Sequence, residues 1–150
     1  MGTYQTVLVG TDGSDSSYRA VDRAAEIARD ESAKLVIVCA YYPLGSKELA
    51  HTMDELGAEA YQVVGSNPAE EVLRTARERA AAKGAQHIEA KPIVGEPVKS
   101  LVKALAEHSV DLLVVGNRGL NTIAGRILGS VPANVSRQAA CDVLIVHTVN

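Results

Sequence analysis

The stretch Leu112-Leu113-Val114-Val115-Gly116-Asn117-Arg118-Gly119 decides how the rest of the chain is read. With Asp111 before it, its first half is a short apolar run without polar alternation, which suits a strand covered on both faces and hence a parallel sheet. Its second half is small and polar and opens a loop at the carboxyl end of that strand. Similar runs lie outward in the chain at Tyr4 to Val9, Lys34 to Ala40 and Asp142 to Val149. His87 to Val94 is weaker and more alternating, as an edge strand is.

Between these runs the period changes to that of a helix. Val21, Ala24, Ala25 and Ala28 form one i, i+3, i+4, i+7 stripe, and Val98, Leu101, Val102, Leu105 and Ala106 form another. Asn67-Pro68-Ala69-Glu70 supplies a cap, a proline at the first helical position and a glutamate for a capping box, so a helix starts there and stops at Gly84. Gly95-Glu96-Pro97 starts the next by the same proline logic. Five strands alternating with four helices predict an α/β fold. It is an open, doubly wound, five-stranded parallel sheet of order 3-2-1-4-5, Rossmann-like, with helices on both faces. Ligands settle in such sheets where strand order reverses, here between the first and fourth strands. The segment Tyr41 to Ser66 is long for a connection and reads as a flap with a short helix at Lys47 to Ala60.

Composition narrows the function classes. A chain of 150 residues, 47% hydrophobic and 22% charged, forms one domain spanning 1–150. A net charge of −3 lacks the cationic field that nucleic-acid binding draws on, and the five tyrosines are the only aromatic side chains, too few for a base-stacking platform. No apolar run approaches the ~20 residues of a membrane helix, and MGTYQTVLVG has no signal-peptide character, so neither membrane nor nucleic acid is an expected partner and a cytoplasmic location is expected. Cys39 and Cys141 read as two buried thiols at opposite ends of different strands, too far apart to bridge.

Two loops flank the predicted crevice. Gly10-Thr11-Asp12-Gly13-Ser14-Asp15-Ser16-Ser17 follows the first strand and by itself reads as a tight turn with Ser14 or Asp15 as helix cap. The second, Gly116-Asn117-Arg118-Gly119, is followed by Gly129-Ser130 at the mouth of a helix running toward Ala139. Glycines allow close backbone approach, unpaired N–H groups at a helix start bind phosphate, and Arg118 and Arg126 can add charge-assisted contacts. Together these describe an anion cradle, although neither a Walker A loop nor Gly-x-Gly-x-x-Gly is present.

The spacing Gly-x2-Gly-x9-Gly-Ser after a buried strand resembles the nucleotide-binding motif of the universal stress protein family, in its ATP-binding branch. The resemblance extends over nearly the whole chain, through Thr11-Asp12, Val114-Val115-Gly116, Gly129-Ser130-Val131 and the closing Cys141 to Val146. It implies that Asp12 holds ribose hydroxyls, beside Gly10 and Thr11, and that the backbone of Ala40 meets the adenine edge. It also implies that Gly116, Gly119, Gly129, Ser130 and Val131, with Asn117, form the phosphate loop. Relatives that hold a triphosphate usually carry Ser or Thr two positions after Ser130, where this chain has Pro132. Each donor so lost is worth ~1.5–3 kcal/mol toward a charged acceptor, so ATP is expected to lose ground to AMP or cyclic AMP.

The expected function is therefore an adenine-nucleotide-binding stress or signalling protein that senses or sequesters ATP, AMP or cyclic AMP. Any hydrolysis is slow and incidental, because no base accompanies the cradle. A Mg²⁺ or Mn²⁺ ion bridging Asp12 and bound phosphates is left open. His51, His87, His108 and His147 have neither metal spacing nor a nucleophile beside them. One alternative is a PP-loop-like ATP pyrophosphatase or adenylating enzyme, whose Ser-Gly-Gly-x-Asp-Ser loop Thr11 to Ser16 resembles, although Asp12 would repel a diphosphate there. Another is a ligand-free dimerisation module. Relatives dimerise through their final strand, and Val143 to Val149 is an apolar sheet edge, so a homodimer through that strand is expected. The charges from Glu70 to Arg79 read as a solvated helix face.

Overall fold

The computed structural model describes residues 3–42, 66–117 and 130–148, and their side chains except at 66–67 and 130–133. The elements run β1 (Thr6–Gly10), α1 (Asp15–Glu31), β2 (Lys34–Tyr41), α2 (Ser66–Ala82), β3 (His87–Val94), α3 (Pro97–Glu107), β4 (Leu112–Gly116), α4 (Ser130–Gln138) and β5 (Asp142–Val146). All pairings are parallel and the order is β3-β2-β1-β4-β5, which is the order predicted from the sequence. Among the described residues no helix is long and apolar enough to cross a membrane. The flap read over Tyr41 to Ser66 is shorter at both ends, since Tyr41 closes β2, Tyr42 is buried and Ser66 opens α2; the rest of it, with the helix expected at Lys47 to Ala60, lies outside the described residues.

Burial on both faces explains the unbroken apolar runs. Val7, Val9, Leu35, Ile37, Leu112 and Val114 point into one core layer with the alanine stripe of α1 and with Ala69, Leu73, Ala76 and Ala80 of α2. Leu8, Val36, Val38, Leu113 and Val115 point into the other, with Val98, Leu101, Ala104 and Leu105 of α3 and Val135 of α4. With no Phe or Trp in the chain, the layers are filled by branched aliphatics on the sheet and by alanines that let α1 and α2 lie close to it.

The helix ends follow local chemistry. Ser14 caps α1, its hydroxyl accepting from the Ser17 N–H at 3.2 Å. Glu96 caps α3, its carboxylate accepting from Val98 N at 2.8 Å and Lys99 N at 3.1 Å, with Pro97 first in the helix. Helix α2 begins at Ser66, one residue ahead of the expected Asn67 cap, and Gly84 (φ +99°) ends its turn as predicted.

Two expectations need correction. Arg79 is not part of a solvated face: it forms a two-pronged bond to Asp22 at 3.0 and 2.6 Å and lies 5.1 Å from the centre of the Tyr18 ring, tying α2 to α1. A planar guanidinium matches a carboxylate and a ring face at once, which no spacing within α2 can reveal. The last strand ends at Val146 rather than continuing to Val149; His147 and Thr148 leave the sheet, because Thr148 turns inward to 2% exposure.

Gly10, expected at the nucleotide site, has a packing reason of its own. A Cβ there would lie 3.0 Å from Leu101 Cδ2 beneath it. Gly10→Ala is expected to cost about 1 kcal/mol in the wild-type background, the low end of overpacking penalties, and close to nothing beside Leu101→Ala. Urea titrations of the four proteins of that cycle measure it, and equal costs in both backgrounds would refute the packing explanation.

Candidate functional site

The carboxyl ends of β1 and β4 lie side by side where strand order reverses, and the described part of the site is built on them. Thr11 leaves β1 with its N–H still bonded to Val38 O at 2.9 Å, and it is fully buried. Two hydroxyls then organise the turn. Ser17 Oγ donates to Ser14 O at 2.9 Å, which uses its one proton, so Thr11 Oγ1 is the donor across the 2.8 Å contact between them. Thr11 Oγ1 in turn accepts the Gly13 N–H at 3.1 Å, and Ser17 Oγ accepts the Asp12 N–H at 3.3 Å. Gly13 has φ +86°, the left-handed conformation that lets the chain reverse within this turn.

Asp12 is the product of that turn. Its Oδ1 accepts the Ser14 N–H at 2.9 Å and the residue is only 6% exposed. Beneath it the Cys39 thiol is pushed up to about 12, first by burial and then by the negative charge of Asp12. Burial is also the main cause that raises Tyr18, with Asp12 a minor contributor. Asp12 thus stands near the buried Cys39 of β2 and the half-buried Tyr18 of α1. Ala40, half-buried on β2, lies two residues further toward the carboxyl end than Val38, the register partner of Gly10. The small side chain expected there thus stands at the level of the Asp12 turn. Cys39 and Cys141 are both free thiols; Cys39 is buried as expected, whereas Cys141, just ahead of β5, is only partly buried, a correction to the expected pair of buried thiols.

On the other wall, Gly116 ends β4 and Asn117 bonds back to the edge strand, its N–H donating to Val146 O at 2.8 Å. The Asn117 side chain, expected to face a ligand, is engaged by the C-terminal segment. Its Oδ1 accepts from both the N–H and the hydroxyl of Thr148, each at 2.9 Å. Thr148 also shares a short hydroxyl contact with Ser16 and accepts from Arg19 Nη1 at 2.5 Å through its carbonyl. A Cβ at Gly116 would lie 3.2 Å from Thr148 Cγ2.

Arg118, Gly119, Arg126 and Gly129 lie outside the described residues, as do the side chains of Ser130, Val131 and Pro132. The backbone of Ser130 and Val131 opens α4, so that segment is a helix start as expected. Among the described residues no group of three or more His, Cys, Asp or Glu side chains is placed to hold a metal ion. Sequence reasoning missed Ser17, Ser16, Arg19 and Thr148. The serines could have been suspected from a threonine and three serines crowded into one turn, since a buried turn needs side-chain acceptors for its own amides. Nothing in the sequence pointed to Thr148.

The sequence model of the universal stress protein family matches residues 3–147. A universal stress protein of Mycobacterium tuberculosis strain H37Rv is 60% identical over 148 residues, which is 99% of each chain. A crystal structure of a universal stress protein in complex with cAMP is 56% identical, with a TM-score of 0.77 over 99% of this chain and all of that one. A universal stress protein from Lactobacillus plantarum shares the fold at 23% identity, with a TM-score of 0.77 over 97% of this chain and 99% of its own.

Removing the Ser17 hydroxyl takes away the acceptor for the Thr11 hydroxyl and the Asp12 N–H in a buried site. Ser17→Ala is expected to destabilise the protein by about 1–3 kcal/mol, read as a lower urea midpoint at unchanged slope. A loss under about 0.5 kcal/mol, the level of an ordinary surface change, would show that the relay carries no weight.

Proposed function

This chain belongs to the universal stress protein family, and from that premise we propose that the crevice between β1 and β4 binds an adenine nucleotide and holds one phosphate better than three. Asp12 carries the reading: a buried carboxylate, fixed by a main-chain amide, set at the point where strand order reverses. A carboxylate in that position accepts the two hydroxyls of a ribose, and Ala40 leaves room for a flat base beside it. In sequence, Arg118 and Gly119 follow Asn117, and α4 starts at Ser130, where first-turn amides and the helix dipole would suit a phosphate. The relative at 56% identity that was solved with cAMP supports the same ligand class.

Preference among nucleotides follows from Pro132. It lacks both the hydroxyl and the N–H that Ser or Thr would offer to an outer phosphate, and each missing donor is worth about tenfold or more in affinity. ATP brings a divalent ion with it in solution, and Asp12 is the carboxylate such an ion would meet in this crevice. The role proposed is sensing or sequestering, in the cytoplasm, rather than turnover, since the Asp12 carboxylate is committed to the turn and the ribose. Calorimetric titration with ATP, AMP and cyclic AMP is expected to show ATP weakest. ATP binding at least tenfold tighter than the other two would overturn the preference, and no binding of any of the three would overturn the nucleotide reading.

We further propose a homodimer through the last strand. Among the described residues strand β5 forms one edge of the sheet, with Ile145 38% exposed, and an edge strand of this kind can pair with a second β5. Within the expected span Val143 to Val149, the strand proper is Asp142–Val146. Val146 packs partly against the α1 core layer, so Ile145→Lys is the more selective probe. It is expected to convert a dimer to a monomer in analytical ultracentrifugation with the far-UV spectrum unchanged, and a dimer that survives it would count against this interface.

A further inference from the structure

We propose that Thr148 is a positioning residue for the phosphate end of the ligand, acting through Asn117. The inference rests on the nucleotide reading above and adds a part of the chain that neither crevice loop contains. Thr148 lies two residues past the last strand, yet it is 2% exposed and each of its polar groups is engaged. Its N–H and its hydroxyl both donate to Asn117 Oδ1 at 2.9 Å, its hydroxyl oxygen meets the Ser16 hydroxyl, and its carbonyl accepts from Arg19. A tether alone needs no such set of bonds.

The bonds orient the Asn117 side chain: because Oδ1 accepts two donors, the amide nitrogen faces His147 Nδ1, 3.3 Å away, which can accept from it when the ring proton is on Nε2. The Asn117 N–H is taken by Val146 O. Backbone and side chain of Asn117 are thus both held by residues 146–148, and Asn117 is the residue from which the expected phosphate loop departs. Ser16 and Arg19 belong to α1, whose first turn follows the Asp12 turn directly. The clasp therefore joins the two walls of the crevice, the end of β4 and the start of α1, and fixes their spacing.

Gly116 fits the same picture. A Cβ there would lie 3.2 Å from Thr148 Oγ1 and Cγ2 and 3.4 Å from Ser16 Oγ, so the missing side chain makes room for the clasp. Main-chain donors hold a phosphate only while their directions are maintained, and a supporting shell that loosens by about an ångström weakens the site it supports. Adenosine draws on the Asp12 and Ala40 side of the crevice. Loosening Asn117 should consequently harm phosphate-bearing ligands and spare the nucleoside.

The test compares wild type, Thr148→Val and Thr148→Ser, with cyclic AMP titrated by calorimetry and adenosine by competition against it. Thr148→Val keeps the shape and removes the hydroxyl; it is expected to weaken cyclic AMP at least fivefold and adenosine less than twofold. Thr148→Ser restores the hydroxyl and should bring cyclic AMP back to within twofold of wild type. The proposal is overturned if Thr148→Val binds cyclic AMP like wild type, if it loses both ligands equally, or if Thr148→Ser is as weak as Thr148→Val. Should Thr148→Val not fold, Thr148→Ala, which also removes the hydroxyl donated to Asn117 Oδ1, is judged by the same split between the two ligands. A wild type that binds neither ligand would overturn the nucleotide reading itself, whereas a binding wild type with an indifferent Thr148→Val removes only the positioning role.

Discussion

Main-chain amides that leave the sheet at the carboxyl ends of β1 and β4 enter a region already dry on both sides, and each must find an acceptor there. Buried donors without partners cost about 1–3 kcal/mol apiece, a large share of the marginal stability of a domain. The turn after β1 meets this demand with hydroxyls: Thr11 and Ser17 accept the N–H groups of Gly13 and Asp12 respectively, while Thr11 donates its hydroxyl proton to Ser17 and Ser17 donates its own to Ser14 O. Everything expected of the crevice depends on this relay, because it fixes where the Asp12 carboxylate stands.

The wall formed by β4 solves the same problem differently. Its first loop amide, on Asn117, bonds to the edge strand, and the Asn117 side chain is taken up by Thr148. One wall is therefore organised by residues local in sequence and the other by a segment thirty residues away. Arg79 shows the same division within the helical layer: its charge is satisfied by Asp22 and the Tyr18 ring on α1 and not by its neighbours on α2.

Much of the fold was legible because its causes are local or periodic. Runs such as Leu35 to Cys39 and Leu112 to Val115 have no polar face to offer to water, so a sheet sandwiched between helices follows, and with it the reversal of strand order between β1 and β4. Ser14, Glu96-Pro97 and Gly84 marked helix ends because caps act over three or four residues. The candidate site was legible in part. Thr11, Asp12, Ala40, Gly116 and Asn117 stand at the carboxyl ends of the strands as expected, but two glycines expected to serve a ligand have packing partners, Leu101 under Gly10 and Thr148 beside Gly116.

The amino-acid order by itself determined which segments become strands and helices, how they alternate, and where in the sheet the strand order reverses. Those properties come from burial, period and capping, all of which act along the chain. Only the tertiary structure decided that the last strand stops at Val146, that Thr148 returns to Asn117 and Ser16, and that Arg79 joins two helices. These are contacts between residues 31 to 132 positions apart, and their hydrogen bonds have direction and length. Such requirements leave no periodic trace in a sequence and are met only once the sheet has brought the groups together.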